Sequence, residues 1–303
     1  MVLTSCITEK TSKMALDFFL HIPKCGGSSI RTLIAQNYAK NRTIAFGGNW
    51  DEIIWFRCTP ELYKRRHSIV HGHFPWNMHF GLNDHYRYFT FLREPVARHF
   101  SDYFYQKRWE DAPLHNEIID NAISIEQWAT IFSAKPQLSN CLVRYIADDL
   151  FSPTLLPGSV DLAFSRLQSE MVAFGLAERF HESVLLIGRA LGWRNVLFET
   201  RNVSAASEVV DNALKDKAAG YIEDDIGFYN RSCELFEERV HAGGSLLADA
   251  TAELRELSRE ASEQLGQDVH GRFVIGENTL SIPKSLYDKA SSCAAIQRWL
   301  LGA

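Results

Sequence analysis

A short segment rich in glycine and serine lies near the start of the chain, in a pattern that suits the binding of phosphate. Its residues are Lys24, Cys25, Gly26, Gly27, Ser28 and Ser29. Backbone N–H groups exposed in a glycine loop form a concave anion site, and the amino terminus of a following helix adds partial positive charge. The lysine adds a full charge and the serines add hydroxyl donors. The segment therefore predicts a site for one phosphate group.

A second segment combines arginine with serine and predicts a partner for the first. Arg93 ends an apolar run, and Ser101 follows it in the next predicted helix. A guanidinium matches the geometry of phosphate and a hydroxyl adds one more donor, so the two side chains could hold a second phosphate. Arg98 lies about one turn before Ser101, where it either faces the same site or bridges acidic side chains on the surface.

The order of residues in the first segment differs from that of the ATP-binding P-loop. In the pattern GxxxxGKS/T the lysine follows the second glycine, whereas Lys24 precedes Gly26 and Gly27. The lysine would therefore approach a different oxygen of its ligand. Taken alone, the segment is equally compatible with an ordinary strand-to-helix turn that carries an exposed lysine.

Five histidines fall close together in the sequence. They are His67, His71, His73, His79 and His85. A metal site is one explanation, but their spacing fits no standard zinc pattern; histidines with no shared role are another. We favour a general base, because the strand end at His71 and His73 would line a ligand crevice and imidazole accepts protons near neutral pH. His73 is the preferred base, with His71 as helper or alternative.

These segments need strands and helices to position them. Runs of β-forming residues predict strands at Asp17–Ile22, Ser68–His71, Tyr86–Leu92, Val172–Leu176 and Asn195–Phe198. Helices are predicted after the glycine segment, with Ser28 or Ser29 as N-cap, after Pro95, and over residues 125–132, 138–146 and 182–191. Strands separated by helices indicate an α/β fold with a central, mainly parallel sheet flanked by helices.

The chain after Ser207 is predicted to be helical. An apolar stripe at helical spacing consists of Leu247, Ala250, Leu254, Leu257, Ala261 and Leu265. It could face a partner, but packing on its own domain is the favoured interpretation. The linker candidate Gly243–Gly244–Ser245 divides the chain into a domain over residues 1–242 and a helical C-terminal extension over residues 243–303, packed on the same domain.

Composition limits the class of protein. Apolar residues make up 46% of the 303 residues, which is enough for a sizeable core. The 32 basic and 37 acidic residues give a net charge of −5, which argues against broad binding of nucleic acid. Neither a signal peptide nor a membrane span is predicted, and we expect a cytoplasmic protein.

The two phosphate segments together carry a family resemblance. Lys-x-Gly-Gly-Ser-Ser after a strand, followed by Arg-x-Pro-x-x-Arg-x-x-Ser-x-Tyr, resembles the sulfotransferases that use 3′-phosphoadenosine 5′-phosphosulfate (PAPS). The resemblance implies the P-loop-like sulfotransferase fold, with PAPS as donor and 3′-phosphoadenosine 5′-phosphate (PAP) as product. It places the 5′-phosphosulfate on the first segment and the 3′-phosphate on Arg93 and Ser101. It also implies that Lys24 neutralises the leaving oxygen and that no metal is needed.

Further motifs resemble the carbohydrate branch of these enzymes. The opening His21–Ile22–Pro23–Lys24 and the triplet His71–Gly72–His73 look like those of heparan sulfate 2-O-sulfotransferases, where the histidines are tied to catalysis. The acceptor would then be a hydroxyl of a saccharide. Aromatic rings suit the apolar face of a sugar, so Trp76 is predicted as an exposed platform. Phe74 is a second candidate, which core packing explains equally well, as it does Phe80.

The resemblance extends to Asn140–Tyr145 and Phe174–Phe180 and is faint after Ser207. Cys25 departs from the family, in which threonine or serine is common at this position, and removes one hydroxyl. A P-loop nucleotide kinase or NTPase is the alternative enzyme, although the position of Lys24 and the lack of a convincing metal-binding aspartate argue against it. A non-catalytic nucleotide-binding protein is the alternative outside the enzymes.

Overall fold

The computed structural model describes residues 15–132, 134–136, 138–198, 210–265, 273–275, 278–280 and 282–302. Five strands form one parallel sheet, namely β1 (Leu16–Leu20), β2 (Thr43–Phe46), β3 (Ile69–Gly72), β4 (Tyr86–Leu92) and β5 (Met171–Leu176). The order across this sheet is β2–β3–β1–β4–β5. An antiparallel pair is formed by β6 (Phe273–Ile275) and β7 (Asn278–Leu280). The predicted α/β fold with a parallel central sheet and a helical C-terminal region is confirmed.

Helices connect the strands and make up most of the C-terminal region. Before β5 they are α1 (Gly27–Asn37), α2 (Trp50–Cys58), α3 (Glu61–Lys64), α4 (Pro95–Arg108), α5 (His115–Asp120), α6 (Ile125–Gln127), α7 (Cys141–Ala147) and α8 (Ser159–Ser165). After β5 they are α9 (Phe180–Leu191), α10 (Asn212–Ala219), α11 (Glu223–Leu265), α12 (Lys284–Ser292) and α13 (Ala294–Leu301).

The central strand β1 shows why this sheet is buried. All five of its residues are buried, as expected for a parallel strand covered on both faces. The strand has one charged residue, Asp17, and hydrogen bonds offset the cost of burying its carboxylate. The Arg87 Nε atom donates to Asp17 Oδ1 over 2.7 Å, and the Tyr38 hydroxyl donates to Asp17 Oδ2 over 2.6 Å. Burial raises the pKa of Asp17, and the bonds from Arg87 and Tyr38 oppose that rise.

The strand register gathers four chain segments at one edge of the sheet. Leu20 pairs with Gly72 and with Thr90, and Gly72 also pairs with Phe46. The backbone continues the pattern beyond the strands, since His21 N donates to the Gly72 carbonyl over 3.0 Å. Because parallel strands end on the same side, the segments that follow β1 to β4 all leave at this edge, called here the carboxyl edge.

The long helix α11 bends at Gly244, where φ is 56° and ψ is −149°. Beyond the bend, the stripe residues from Leu247 to Ala261 are buried in the same apolar cluster as the central strands. The stripe therefore packs on the chain's own core, as favoured above. The side chain of Leu265 and the predicted helical start at Ser207 lie outside the described residues. The boundary between residues 242 and 243 stays a prediction.

Three local predictions were wrong. Strand β2 was missed. Asn195–Phe198 joins no sheet in the described part of the chain. Side chains of α1 bond to its carbonyls instead: Gln36 Nε2 donates to Leu197 O over 2.8 Å, and Asn37 Nδ2 donates to Asn195 O over 2.7 Å. The N-cap of α1 is Gly26, not Ser28 or Ser29, because glycine adopts the left-handed conformation needed there, with φ at 83°.

Within the described residues, none of the helices combines the length and apolar character that crossing a bilayer requires.

Candidate active site

The glycine loop, residues 22–27, leaves β1 at the carboxyl edge and turns directly into α1. Lys24 and Gly26 both have positive φ, at 69° and 83°. A lysine in this conformation stores strain, which is typical of ligand sites. The N-cap Gly26 provides no side-chain cap for α1, and the partial positive charge at the amino terminus of a helix attracts an anion.

Arg93 ties the second predicted segment to this loop. It follows β4 at the carboxyl edge, and its Nη1 atom donates to the Lys24 carbonyl over 3.2 Å. The next residue is also anchored, because Glu94 N donates to Glu178 Oε1 over 2.9 Å. The other oxygen, Glu178 Oε2, accepts from the Tyr229 hydroxyl of α11 over 2.7 Å. The guanidinium therefore lies beside the loop, as the two-phosphate interpretation requires.

The Lys24 ammonium is held between the loop and α4. Its Nζ atom lies 4.1 Å from the centroid of the Tyr105 ring, a favourable cation–π distance. Burial lowers the pKa of Lys24, while the nearby Asp102 carboxylate raises it. Ser101 lies one helical turn before Tyr105 and so faces the same side of α4. The predicted residues Lys24, Arg93 and Ser101 are thus brought together.

His73 is fixed at the carboxyl edge by its own backbone and ring. His73 N donates to the Phe46 carbonyl over 3.1 Å. Its Nδ1 atom lies 2.9 Å from the His21 carbonyl. A carbonyl only accepts, so Nδ1 carries a proton and donates it, and Nε2 keeps its lone pair. Burial lowers the pKa of His73, opposed by the His21 hydrogen bond and by Asp102, which leaves the ring neutral at physiological pH.

A second imidazole, His21, packs on His73 and was not predicted as a site residue. The His21 and His73 rings stack with centroids 4.3 Å apart. His21 also lies on the start of α1, where a Cβ added to Gly27 would fall 1.8 Å from His21 Nε2. Gly27 is therefore needed for close packing. Burial and the neighbouring cationic groups hold the pKa of His21 well below its ordinary value.

The five clustered histidines do not form one site. His71 lies in β3, two residues before His73, and burial lowers its pKa to about 4. His79 instead stacks on Tyr86 at the other end of β4, and His67 packs on Tyr63. Among the described residues, no group of three or more metal-ligating side chains could hold an ion.

The predicted aromatic platform was wrong. Trp76 is 2% exposed and Phe74 is fully buried, so neither ring can reach an acceptor in this structure. Trp76 stacks on Tyr88 with ring centroids 4.1 Å apart, and Phe74 packs edge-on against Phe46. Phe80, for which core packing was an equal alternative, is 61% exposed.

Two further side chains point inward. The Cys25 thiol is buried, and its backbone N–H is committed to the Ile22 carbonyl at 3.3 Å. The Cys25 side chain therefore faces the core, and its contact with the donor stays a prediction. Arg98 is also buried, so it bridges no surface acids; its Nη2 atom donates to the Leu138 carbonyl over 3.3 Å, and Asp102 and Asp225 are among the acidic groups near it.

Three site residues escaped the sequence analysis: His21, Asp102 and Tyr105. Asp102 is buried, receives a hydrogen bond from Gln106 Nε2 and acts electrostatically on both Lys24 and His73. It and Tyr105 follow Ser101 on the predicted helix. Helical spacing from Ser101 could have indicated Tyr105, whereas the buried carboxylate required the tertiary structure.

Comparison with known proteins agrees with this geometry. The sequence model described as the sulfotransferase family matches residues 7–145. The match covers less than half of the chain and confirms the predicted resemblance at the family level. It supports sulfuryl transfer in general, and the family implies PAPS as the donor. No curated protein matches the chain.

Proposed function

We propose that this chain transfers the sulfuryl group of PAPS to a hydroxyl oxygen of a carbohydrate, with His73 as the general base. One observation carries the proposal. The hydrogen bond from His73 Nδ1 to the His21 carbonyl sets a neutral imidazole beside the loop that carries Lys24. A base and a cation for the leaving group thus meet at one edge of the sheet.

The donor would lie across the loop and α4. The first-turn N–H groups of α1, with Lys24, Ser28 and Ser29, would surround the 5′-phosphosulfate. Arg93 and Ser101 would hold the 3′-phosphate. This division follows from the contact between Arg93 and the Lys24 carbonyl and from the side of α4 that Ser101 shares with Tyr105.

The transfer step forms one S–O bond and breaks another. The acceptor oxygen attacks sulfur in line as its proton passes to His73 Nε2. The bond between sulfur and the bridging oxygen breaks, and the electron pair leaves with PAP. Lys24 neutralises the charge that develops on this oxygen, and the loop N–H groups hold the phosphate throughout.

Calorimetry with PAP and AMP tests the donor assignment. Because Arg93 and Ser101 need a 3′-phosphate, we expect PAP to bind about tenfold to a hundredfold more tightly than AMP. Arg93→Ala should remove most of this difference. Equal affinity for the two nucleotides would disprove the 3′-phosphate site, and preferential binding of ATP would favour a kinase or NTPase.

Transfer is tested with 35S-labelled PAPS and a mixture of oligosaccharides. Labelled saccharide from the wild-type chain supports the proposal. Tight PAP binding without transfer would instead indicate a non-catalytic nucleotide-binding protein.

A further inference from the structure

Trp50 and Phe151 form a partly exposed aromatic pair. Phe151 is 75% exposed, although a ring of this size is ordinarily buried. Its centroid lies 4.5 Å from that of Trp50, with the rings inclined at 61°. Trp50 packs partly on the main core, so it supplies a fixed base and Phe151 supplies the outer surface.

The loop that carries Phe151 is held rigidly from beneath. The buried Arg144 Nη1 atom donates to the Asp149 carbonyl over 2.9 Å and to the Ser152 carbonyl over 2.8 Å. Asp148, at the end of α7, pairs with Arg57 of α2 over 2.8 Å. Guanidinium bonds on both sides of Phe151, from the buried Arg144 and the partly buried Arg57, mean that its exposure is built into the fold.

The pair lies on the same side of the sheet as the base. Trp50 opens α2, directly after the loop that follows β2 at the carboxyl edge. In that loop, a Cβ added to Gly48 would lie 3.7 Å from His73 Cβ. Since adjacent Cα atoms are about 3.8 Å apart, the Trp50 Cα lies within about 8 Å of the Gly48 Cα.

We infer that Trp50 and Phe151 form the platform on which a sugar ring of the acceptor rests, with one hydroxyl directed at His73 Nε2. The inference rests on the proposed function and names the acceptor surface that the buried Trp76 and Phe74 do not provide. The apolar C–H face of a sugar fits an aromatic ring.

Polar groups beside the platform favour a saccharide over a simple phenol. Asp51 and Glu52 are exposed in the first turn of α2, next to Trp50. Their carboxylates can accept hydrogen bonds from the further hydroxyls of a sugar ring. A phenol has a single hydroxyl, which His73 would already engage.

Phe151 gives the cleanest variant because it is exposed. We expect Phe151→Ala to raise the KM for the saccharide at least tenfold, with little change in kcat or in PAP affinity. Phe151→Tyr keeps the ring and should restore the wild-type KM. Phe80→Ala is the matched control: Phe80 is 61% exposed, and its neighbour His79 stacks on Tyr86 at the far end of β4.

The assay uses an array of neutral and uronic-acid saccharides incubated with 35S-labelled PAPS, with 4-nitrophenol assayed separately. Label on saccharides that falls in Phe151→Ala but not in Phe80→Ala supports the platform. Saccharide labelling unchanged in Phe151→Ala, or transfer to 4-nitrophenol alone, overturns it while leaving sulfuryl transfer intact. Failure to prefer PAP over AMP would overturn the proposed donor site instead, and the platform would fall with it.

Discussion

A single hydrogen bond determines which nitrogen of His73 can react. Nδ1 donates to the His21 carbonyl, so a substrate proton can pass only to Nε2. Burial lowers the pKa of the ring, and the proton acceptor is therefore unprotonated at neutral pH. Both effects follow from the position of one residue at a strand end.

The first prediction concerns this imidazole. His73→Ala should lower kcat about 10²–10⁴-fold and leave the affinity for PAP nearly unchanged, because the ring faces the acceptor. The wild-type rate should rise with pH as the ring loses its proton, with a midpoint below the ordinary histidine value of about 6.5. Initial rates between pH 4.5 and 8 measure both effects.

Two variants serve as comparisons for His73. His85→Ala removes an exposed histidine from the same stretch of chain and should leave kcat unchanged. If His71→Ala lowers turnover and His73→Ala does not, the base is His71. If neither variant changes turnover in a folded protein, the histidine mechanism is wrong.

The second prediction concerns Lys24. In the proposed mechanism its ammonium supplies the charge that a metal ion would otherwise provide, so transfer should survive EDTA in the wild-type protein. Lys24→Ala should lower kcat and weaken donor binding together. Rates with 35S-labelled PAPS, with and without chelator, measure this. Activity that is lost in EDTA and restored by magnesium would contradict the assignment.

At the scale of elements, strand β3 depends on one glycine at its end. Gly72 has φ of 142°, and a Cβ there would lie 2.1 Å from the Phe46 carbonyl oxygen of β2. A side chain would force the two strands apart directly before His73. The tight pairing of β2 and β3 thus also fixes the position of His73.

The third prediction follows from this contact. Gly72→Ala should destabilise the fold by at least about 2 kcal/mol, from backbone strain and from the clash, as measured by urea denaturation. Gly81→Ala is the control, since its φ of 79° is strained but nothing lies within 4 Å of the added Cβ; about 1 kcal/mol is expected. If the two variants lost equal amounts of unfolding free energy, the close contact between β2 and β3 at Gly72 would contribute nothing to stability.

The elements differ in how far the sequence could predict them. Tyr86–Leu92 was predicted with the observed bounds, because its seven residues are rich in β-forming types. Thr43–Phe46 was missed, because only Phe46 of this edge strand is buried and its pattern is weak. Asn195–Phe198 has the apolar pattern of a buried strand. Its apolar side chains are buried, but they are buried without pairing to another strand, so the pattern alone was misleading.

The candidate site divides in the same way. Lys24 and Arg93 were predictable because their chemistry is contained in short motifs next to strands. His21 and Asp102 were not, because their roles come from contacts made only in the folded chain. Trp76 was misjudged because a tryptophan after proline gives no indication of which side of the loop is solvent.

At the scale of the whole molecule, buried neutral histidines make the fold sensitive to acid. His99 is fully buried. Its burial, and to a smaller extent the positive charge of Arg98, lowers the pKa of His99 to about 3. Below about pH 6.5 the unfolded chain therefore binds a proton that the folded chain does not. Stability falls as pH falls through this range, by up to about 1.4 kcal/mol per pH unit for this group.

The fourth prediction is tested by urea denaturation at pH 7.5 and 5.5. The wild-type free energy of unfolding should be lower at pH 5.5, and His99→Gln should reduce the difference by about 1 kcal/mol, because an amide does not titrate in this range. A wild-type stability that is independent of pH would contradict the prediction.

The hydrogen bond from Tyr229 to Glu178 links α11 to the residues beside Arg93. The family match ends at residue 145, yet Glu178 holds the backbone next to Arg93, and Tyr229 of α11 holds Glu178. The matched segment is thus braced by residues that lie beyond the end of the match. If residues 7–145 were expressed alone, Arg93 would lose the support that Glu178 and Tyr229 give to the neighbouring backbone. We therefore expect that the matched segment cannot be separated from the rest of the chain without disturbing the candidate site.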